Sequence, residues 1–250
     1  LKDASSTSIY GSRAANGVVV ITTKRGKGAK PTVSIKGQYG FSQPALPTTE
    51  MMSTSQYYDL WKTIAPNADL SIIKQYMDMG INTNWQDYFL KDNAPTWQLD
   101  ASIPGVSKNT NYFISASHYD QEGVEPASGM KRETLRSNID TKVFDWLRVG
   151  VNLGLSYEDF ETNGFATTGN SWYNVATLSR WALPWETPYE IVDDGNGNWH
   201  YGDRKDLLDV LGLWNPYYLL ENQPAEKNKI RLYGNMFEEL TPVKGLTIRA

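Results

Sequence analysis

The stretch LRVGVNLGLSYE, residues 147–158, decides the fold class because its side chains alternate between apolar and polar along its whole length. Successive side chains of a β-strand point to opposite faces, so this alternation predicts a strand with one apolar and one polar face. A tilted strand needs about ten residues to cross a membrane, and this stretch is slightly longer. The apolar positions are Leu147, Val149, Val151, Leu153, Leu155 and Tyr157.

Similar alternation recurs on both sides of this stretch. Each recurrence is a run of residues with period two, bounded by turn-forming or polar residues. Together with residues 147–158, these runs predict about seven strands. The other six cover residues 31–41, 98–103, 111–119, 135–143, 229–240 and 246–249.

Two short helices are predicted between the first two strands. Ser53 and Gln56 have the spacing of a capping box, and the apolar residues that follow have helical spacing until Pro66 ends the run. A second helix is predicted within residues 69–79, with Gly80 at its C-terminal end. Helices between strands indicate either an α+β domain or a long excursion outside a barrel.

The connections between the predicted strands alternate between long and short. Outer-membrane barrels show this asymmetry, with short periplasmic turns and longer extracellular loops. If the first strand runs outward, every long segment lies outside the cell, the apolar faces meet lipid and the polar faces meet the lumen. The connections cover residues 42–95, 104–110, 120–131, 144–146, 159–228 and 241–245.

Residues 1–28, LKDASSTSIYGSRAANGVVVITTKRGKG, carry a family resemblance as well as a local pattern. The pattern alone predicts an Asn-Gly turn, a buried strand over residues 18–23 and a charged, flexible exit. The amino-acid sequence of the stretch closely resembles the end of the plug domain in SusC/RagA-type TonB-linked outer-membrane transporters. Four later stretches resemble landmarks of the barrel in the same family: NWQD at 84–87, TNYF at 110–113, YDQEG at 119–123 and DWLRVG at 145–150.

The resemblance implies a domain division and a fold. Residues 1–28 would be the C-terminal end of a plug domain, and residues 29–250 the N-terminal part of the β-barrel. The expected fold is mainly β, a partial antiparallel transmembrane β-barrel formed by the N-terminal strands of a plugged barrel of about 22 strands, with short helices in long extracellular loops. Because the sequence begins at Leu1, without an initiator methionine or a signal peptide, we expect an internal piece of a longer protein.

The resemblance also implies energised import at the cell outer membrane. Members of the family take up large nutrients, mainly oligosaccharides and secondly peptides, usually with a SusD-like surface lipoprotein as partner. TonB pulls on a segment that precedes the plug, and we expect this segment to lie before Leu1. Arg13 would lie on the plug and pair with a carboxylate of the barrel, as plug arginines do in related receptors; the alternative is an ordinary solvent-exposed turn residue.

Candidate substrate-binding residues come from the aromatic side chains of the segment 159–228. Flat aromatic rings stack on sugar rings or on peptide side chains, although the buried anchors of a loop need the same residue types. The candidates are Trp172, Trp181, Trp185 and Trp199.

Composition and missing motifs argue against several other classes. The net charge of −4 argues against nucleic acid as a partner, and the absence of cysteine excludes disulfides and thiolate metal sites. With two histidines and no Gly-x-Ser-x-Gly or His-Glu-x-x-His motif, we expect no metal, no cofactor and no catalytic residue. Residues 194–198, DGNGN, begin like a calcium loop, but Trp199 stands at the position of the required glycine, so a hairpin turn is expected.

Two competing classes stay open at the level of sequence. A secreted carbohydrate-binding β-protein without a transport role would explain the alternating side chains and the aromatic residues. It would not explain the plug-like start or the alternation of long and short connections. A soluble hydrolase would need a defined carboxylate pair. The acidic residues Glu158, Asp159 and Glu161 fit a solvated loop entrance better.

Overall fold

The protein is built mainly of antiparallel β-strands. The computed structural model describes Val18 and residues 31–45, 50–163, 175–196, 198–209, 212–222 and 224–250. The strands within these residues are β1 (Ser34–Ser42), β2 (Ala94–Val106), β3 (Thr110–Glu122), β4 (Gly129–Phe144), β5 (Leu147–Asn163), β6 (Tyr189–Asp193), β7 (Trp199–Arg204), β8 (Pro224–Val243) and β9 (Leu246–Arg249). Seven of them form one sheet in the order β1-β2-β3-β4-β5-β8-β9, and β6 pairs with β7 in a separate hairpin.

The large sheet is open. β5 pairs on one side with β4 and on the other with β8, over most of its length. β1 and β9 lie at opposite edges and do not pair with each other within the described ranges. A seven-stranded antiparallel sheet with two free edges confirms the expected partial barrel.

The two ends of the sheet differ in the length of their connections. At one end, which we call the turn end, consecutive strands are joined by residues 107–109, 145–146 and 244–245. At the other, the loop end, the connections are residues 43–93, 123–128 and 164–223. The predicted alternation of connection lengths is therefore confirmed.

Pro104 does not interrupt β2, so the predicted connection over residues 104–110 is wrong. The pairing of β1 with β2 ends where Ser34 faces Ser102. At Pro104, β2 therefore pairs only with β3, and a residue without an amide N–H is tolerated because the other side is unpaired. The turn shortens to residues 107–109.

Short helices lie in the connections of the loop end. α1 (Thr54–Ile64) starts with the predicted capping box: the Gln56 amide donates to Ser53 Oγ at 3.2 Å, and the Ser53 amide donates to the Gln56 side chain at 2.9 Å. α2 (Ser71–Asp78) ends before Gly80, whose φ of 75° is the left-handed conformation that glycine favours. The other helices are α3 (Trp85–Phe89), α4 (Val175–Trp181) and α5 (Pro216–Asn222). None of the helices described is long and apolar enough to cross a membrane.

The buried apolar cluster lies in the connections of the loop end. Trp85 and Phe89 of α3 stack with ring centroids 5.9 Å apart, and Ala182 and Leu208 complete the cluster. Asn84 is the N-cap of this helix. α3 was not predicted, because one and a half turns are too short for helical periodicity to show.

Candidate functional site

The large sheet carries its apolar side chains on its exposed face. On β5, Leu153 and Leu155 are 51% and 43% exposed, whereas Ser156 and Glu158 on the opposite face are 7% and 4% exposed. A water-soluble sheet does the reverse, burying its apolar face and exposing its polar one. The observed distribution is that of a sheet that faces lipid. We call the apolar face the outer face and the polar face the inner face.

The outer face is apolar over the height of a membrane. Strands rise about 3.3 Å per residue and tilt by about 40° in such barrels, so the ten steps from Leu147 to Tyr157 cover about 25 Å of membrane thickness. Exposed aromatic rings lie near both ends: Trp97 and Tyr157 toward the loop end, Phe144 and Trp146 at the turn end. The exposed apolar residues between them include Ile35, Leu99, Ile103, Ile114, Leu135, Ile139, Leu153, Leu155, Ile230 and Leu232. Aromatic belts that flank an apolar band are typical of transmembrane barrels.

Ion pairs cross the inner face. Arg148 of β5 makes a two-point contact with the buried Asp140 of β4, with Nε donating to Oδ1 at 2.7 Å and Nη2 to Oδ2 at 2.6 Å. Its Nη1 also lies 3.7 Å from Oε1 of Glu239 on β8. Nearer the loop end, Arg231 of β8 donates to the buried Glu158 carboxylate at 2.8 Å. Charged hydrogen bonds thus connect three neighbouring strands on the face turned away from lipid.

Two glycines of β5 make room for aromatic rings on the inner face. Gly150 lies opposite Phe237 and Gly154 lies opposite Tyr233. A Cβ atom at either glycine would overlap the facing ring, so each ring lies directly over glycine backbone. The inner face is therefore closely packed between β5 and β8.

The connections at the loop end pack together as one body, which we call the loop unit: the described residues of 43–93, 123–128 and 164–223. Its buried cluster combines residues of the first and third connections, and Ala127 of the second packs against it. Hydrogen bonds reinforce these junctions: Trp85 Nε1 to Leu183 O (3.0 Å), Thr83 N to Pro184 O (2.7 Å), Trp199 Nε1 to Met79 O (3.1 Å), Tyr217 Oη to Tyr88 O (2.6 Å) and Lys91 N to Val124 O (2.8 Å). Buried contacts and cross-loop hydrogen bonds give the loop unit a defined shape.

Asn215 is a buried residue that fixes the start of α5. Its Nδ2 donates to the carbonyls of Pro188 and Lys205 at 2.9 and 2.8 Å, and its Oδ1 accepts from the Tyr217 amide at 3.1 Å. Sequence reasoning missed this residue. The sequence feature that could have identified it is the dipeptide Asn215-Pro216, because asparagine is a good N-cap and proline a good first helical residue.

Tyr217 lies in a cluster of rings inside the loop unit. Burial raises the pKa of its phenol above the ordinary value, and its hydroxyl donates to the Tyr88 carbonyl. The guanidinium of Arg204 lies 5.0 Å from the Tyr217 ring centre and 5.8 Å from that of Tyr189. The phenol is therefore neutral at pH 7 and serves as a hydrogen-bond donor between two connections.

The tryptophans predicted to bind substrate lie in different surroundings. Trp181, at the end of α4, is 56% exposed. Trp185 is buried and packs edge-on against Tyr57, with ring centroids 4.7 Å apart. Trp199 is partly buried, and its indole N–H is used within the loop unit. Of these three side chains, Trp181 offers a ring surface to a ligand most directly.

Trp172 and Arg13 lie outside the described residues, so their predicted roles stay predictions. A further ring pair was not among the candidates: Trp214 stacks on Tyr218 with centroids 5.0 Å apart and is 38% exposed. Spacing by four residues across the start of α5 is the signal that could have identified it.

The part of the chain that the structure describes holds no group of three histidine, aspartate or glutamate side chains placed for a metal ion. The predicted turn at residues 194–198 is confirmed by the pairing of β6 with β7. Asp194 Oδ1 accepts from the amides of Asn196 and Asn198 at 2.8 and 3.2 Å. The hydrogen bond from Asn196, with those from Asn198, lowers the pKa of the Asp194 carboxyl. Its carboxylate therefore stabilises a turn.

Known proteins resemble the chain in sequence and in fold, although no family model matches it. The whole chain is 38% identical to a TonB-dependent receptor of Formosa agariphila, and 90% of it is 37% identical to the TonB-dependent receptor SusC of Bacteroides thetaiotaomicron. The RagAB peptide transporter aligns with the whole chain at a TM-score of 0.72 and 27% identity, and the RagAB peptide importer in its closed-closed state at 0.73 and 28%. The chain is similar in sequence and in fold to a stretch of a SusC/RagA-type TonB-dependent receptor.

This stretch corresponds to part of a much larger receptor. It spans 24% and 21% of the length of the two relatives compared by sequence, and 30% of the matched chain in the RagAB structures. These relatives are named as receptors, a transporter and an importer, and none as an enzyme. The outer membrane is the location of such receptors, and barrels in that membrane have their longer connections outside the cell and their short turns in the periplasm.

Proposed function

We propose that the complete receptor imports large nutrients across the outer membrane by a TonB-dependent mechanism. The main support for this proposal is the large sheet, because its apolar outer face fits lipid while its inner face holds ion pairs. A secreted carbohydrate-binding protein would expose the same apolar face to water, which favours aggregation. The names of the relatives support the transporter over that alternative.

In this proposal residues 1–28 end the plug domain and residues 29–250 begin the barrel. Arg13 would pair with a carboxylate of the inner face, where Asp140 and Glu158 already take part in charged hydrogen bonds. An arginine of the plug would extend that network. In the complete receptor, Arg13→Ala should increase hydrogen exchange in the plug. Unchanged protection would contradict this role.

Oligosaccharides are the proposed first class of substrate and peptides the second. Support for sugars comes from flat rings at the extracellular end, namely Trp181 and the stacked pair of Trp214 and Tyr218. Trp172 and Trp199 stay candidates for substrate contact. Trp185 would act indirectly, because its buried ring holds the loop unit together.

The proposed partners are a SusD-like surface lipoprotein outside the cell and TonB in the periplasm. Support for an extracellular protein partner comes from apolar side chains on the helices of the loop unit, since Leu60, Ile64 and Ile72 are all exposed. Exposed apolar groups on a body of defined shape favour protein contact. TonB would act through residues that precede the plug.

Uptake by cells tests the proposal. A strain without its own copy of the complete receptor receives a wild-type or variant copy and grows on one oligosaccharide or one peptide as sole carbon source. Growth on the oligosaccharide should depend on the receptor and on TonB. At limiting substrate, Trp181→Ala should slow uptake several-fold, whereas Val192→Ala, a matched truncation of another exposed side chain of the loop unit, should not.

The outcomes separate the parts of the proposal. Growth without the receptor or without TonB would contradict import. Receptor-dependent growth on peptides alone would replace oligosaccharides by peptides as the substrate class. Equal uptake by Trp181→Ala and the wild type would remove this ring from the substrate path.

A further inference from the structure

The inner face carries a surplus of basic side chains near the loop end. They lie between the row of residues that face one another at Arg136 and the loop end itself. The same rows of the described strands hold two inward carboxylates, Asp100 and Glu158. On the outer face of these rows the balance is reversed, because carboxylates outnumber the single lysine, Lys131. We call the six inward basic residues the cation band: Lys36, Arg132, Arg136, Lys227, Lys229 and Arg231.

Most of the cation band has no carboxylate partner. Arg231 donates to the Glu158 carboxylate at 2.8 Å, and the Asp100 carboxylate accepts from the side-chain amide of Gln98 at 2.9 Å. The other five basic side chains of the band form no ion pair with any residue that the structure describes. Like charges beside walls of low dielectric repel one another and attract anions. An anionic occupant would therefore stabilise this part of the inner face.

The plug residues that this chain contains do not supply the anion. Residues 1–28, which are proposed to end the plug domain, contain one carboxylate side chain, Asp3, and five basic side chains. Their charge adds to that of the cation band. The acidic side chains of the loop unit do not pair with the band either, within the described ranges. A negatively charged substrate would be complementary to it.

Aromatic rings lie among the cations. The Arg132 guanidinium lies 5.1 Å from the centre of the Tyr119 ring, which is on the same face of β3. Tyr233 is 53% exposed and shares a row with Gly154 and Arg136. Aromatic rings stack on the flat faces of sugars, and guanidinium groups bind acidic oxygens with two parallel hydrogen bonds. A surface that offers both contacts matches a sugar ring that carries an acidic group.

We propose that the cation band contacts the substrate during import, and that this substrate is an acidic oligosaccharide whose anionic groups are uronate carboxylates or sulfate esters. Neighbouring strands are about 4.8 Å apart, so β4 and β8, which flank β5, hold their cations about 10 Å apart across the inner face. Cations repeated across the sheet suit a chain that repeats its negative charges. The inference rests on the proposed function and deepens it by naming the substrate class.

Depletion of a mixed pool by cells tests the proposal. The strain without its own copy carries the complete receptor and is given carboxylated, sulfated and neutral oligosaccharides together with acidic peptides. Mass spectrometry measures the receptor-dependent loss of each class from the medium. The wild type should deplete carboxylated or sulfated oligosaccharides, and the class that is lost identifies the anionic group. Arg136→Gln combined with Lys229→Gln should slow this depletion at least five-fold.

Two matched variants control for net charge and for packing. Lys131→Gln combined with Lys244→Gln removes the same charge from the outer face and from the turn end, and should deplete the pool like the wild type. Arg136→Lys combined with Lys229→Arg keeps the charge and should keep most of the depletion. All variants are compared at equal amounts of folded receptor, measured by heat-modifiable mobility on gels.

The outcomes distinguish this inference from the proposed function. Depletion of neutral oligosaccharides alone, or of peptides alone, would overturn the inference and leave import in place. Equal depletion by the wild type and by Arg136→Gln with Lys229→Gln would also overturn it. Hydrogen exchange of the plug should be unchanged in this variant, and an increase would assign the cation band to the plug instead. If the loss of no class depends on the receptor, the proposed function fails and the inference fails with it.

Discussion

Placing an arginine at Leu153 separates a lipid-facing sheet from a water-soluble one. Leu153 lies near the middle of β5 on the outer face, opposite Ser137 on one side and Gly234 on the other, and is about half exposed. In water, a polar substitution at such an exposed position changes stability by about 0.5 kcal/mol or less. At the midplane of a bilayer, arginine on the outer face of a barrel costs about 2–4 kcal/mol.

Folding of the complete receptor into phospholipid vesicles over a guanidinium series measures this difference. Ile64→Arg is the matched control, because Ile64 is 61% exposed but lies on α1, in the aqueous loop unit. We expect Leu153→Arg to lower the stability by about 2–4 kcal/mol and Ile64→Arg to leave it within about 0.5 kcal/mol. Equal small effects of both variants would refute the assignment of the outer face to lipid.

Three further expectations concern the loop unit and the inner face. Trp85→Ala should destabilise the loop unit by about 3–5 kcal/mol, because it removes a fully buried ring, and proteolysis should then cleave the connections while the barrel stays intact. Gly154→Val should displace the Tyr233 ring and lower the folding yield on heat-modifiable gels, whereas Gly154→Ala should have a smaller effect. The raised pKa of Tyr217 means that folding favours its neutral phenol. The stability gained in this way is present below the ordinary tyrosine pKa of about 10 and is lost as the pH rises through the pKa of Tyr217 in the folded protein. The difference in tyrosinate absorbance between the wild type and Tyr217→Phe reports this phenol, and it should appear above about pH 10. A difference that titrates at or below about pH 10 would contradict the burial of this phenol.

Alternation in the sequence was enough to predict the strands and their two faces. Successive side chains of a strand face lipid and the polar interior in turn, so apolar and polar residue types alternate along it. It failed at the extracellular ends, where both faces of a strand are in water. β4 begins at Gly129 and β5 ends at Asn163, and in both extensions polar residues occupy both faces. The predicted strands 135–143 and 147–158 are therefore shorter than the observed ones. Pairing with a neighbouring strand, which single-strand periodicity does not contain, holds these extensions in place.

The candidate site was less predictable, because burial in the loop unit depends on which connections meet. Trp181 and Trp185 are four residues apart and look alike in the sequence, yet one is exposed and the other is buried against Tyr57 of the first connection. Asn215 was missed for a related reason, since two of its partners, Pro188 and Lys205, lie far from it along the same connection. Residue types indicated where aromatic contacts would occur, but contacts between distant segments decide which rings a ligand can reach.

The environment of each side chain along β5 tests the central claim most directly. The chain contains no cysteine, so single cysteines can be introduced along residues 148–157 of the complete receptor, with any cysteine elsewhere replaced, and each can carry a spin label. Gly150 and Gly154 are left out, because a side chain there would overlap a facing ring. In lipid bilayers, we expect collision with oxygen to dominate at the odd-numbered positions of the outer face. Collision with a water-soluble nickel chelate should be greater at the even-numbered positions of the inner face. Equal accessibility at both sets, or access of the nickel chelate to Leu153 and Leu155, would contradict a membrane-spanning strand.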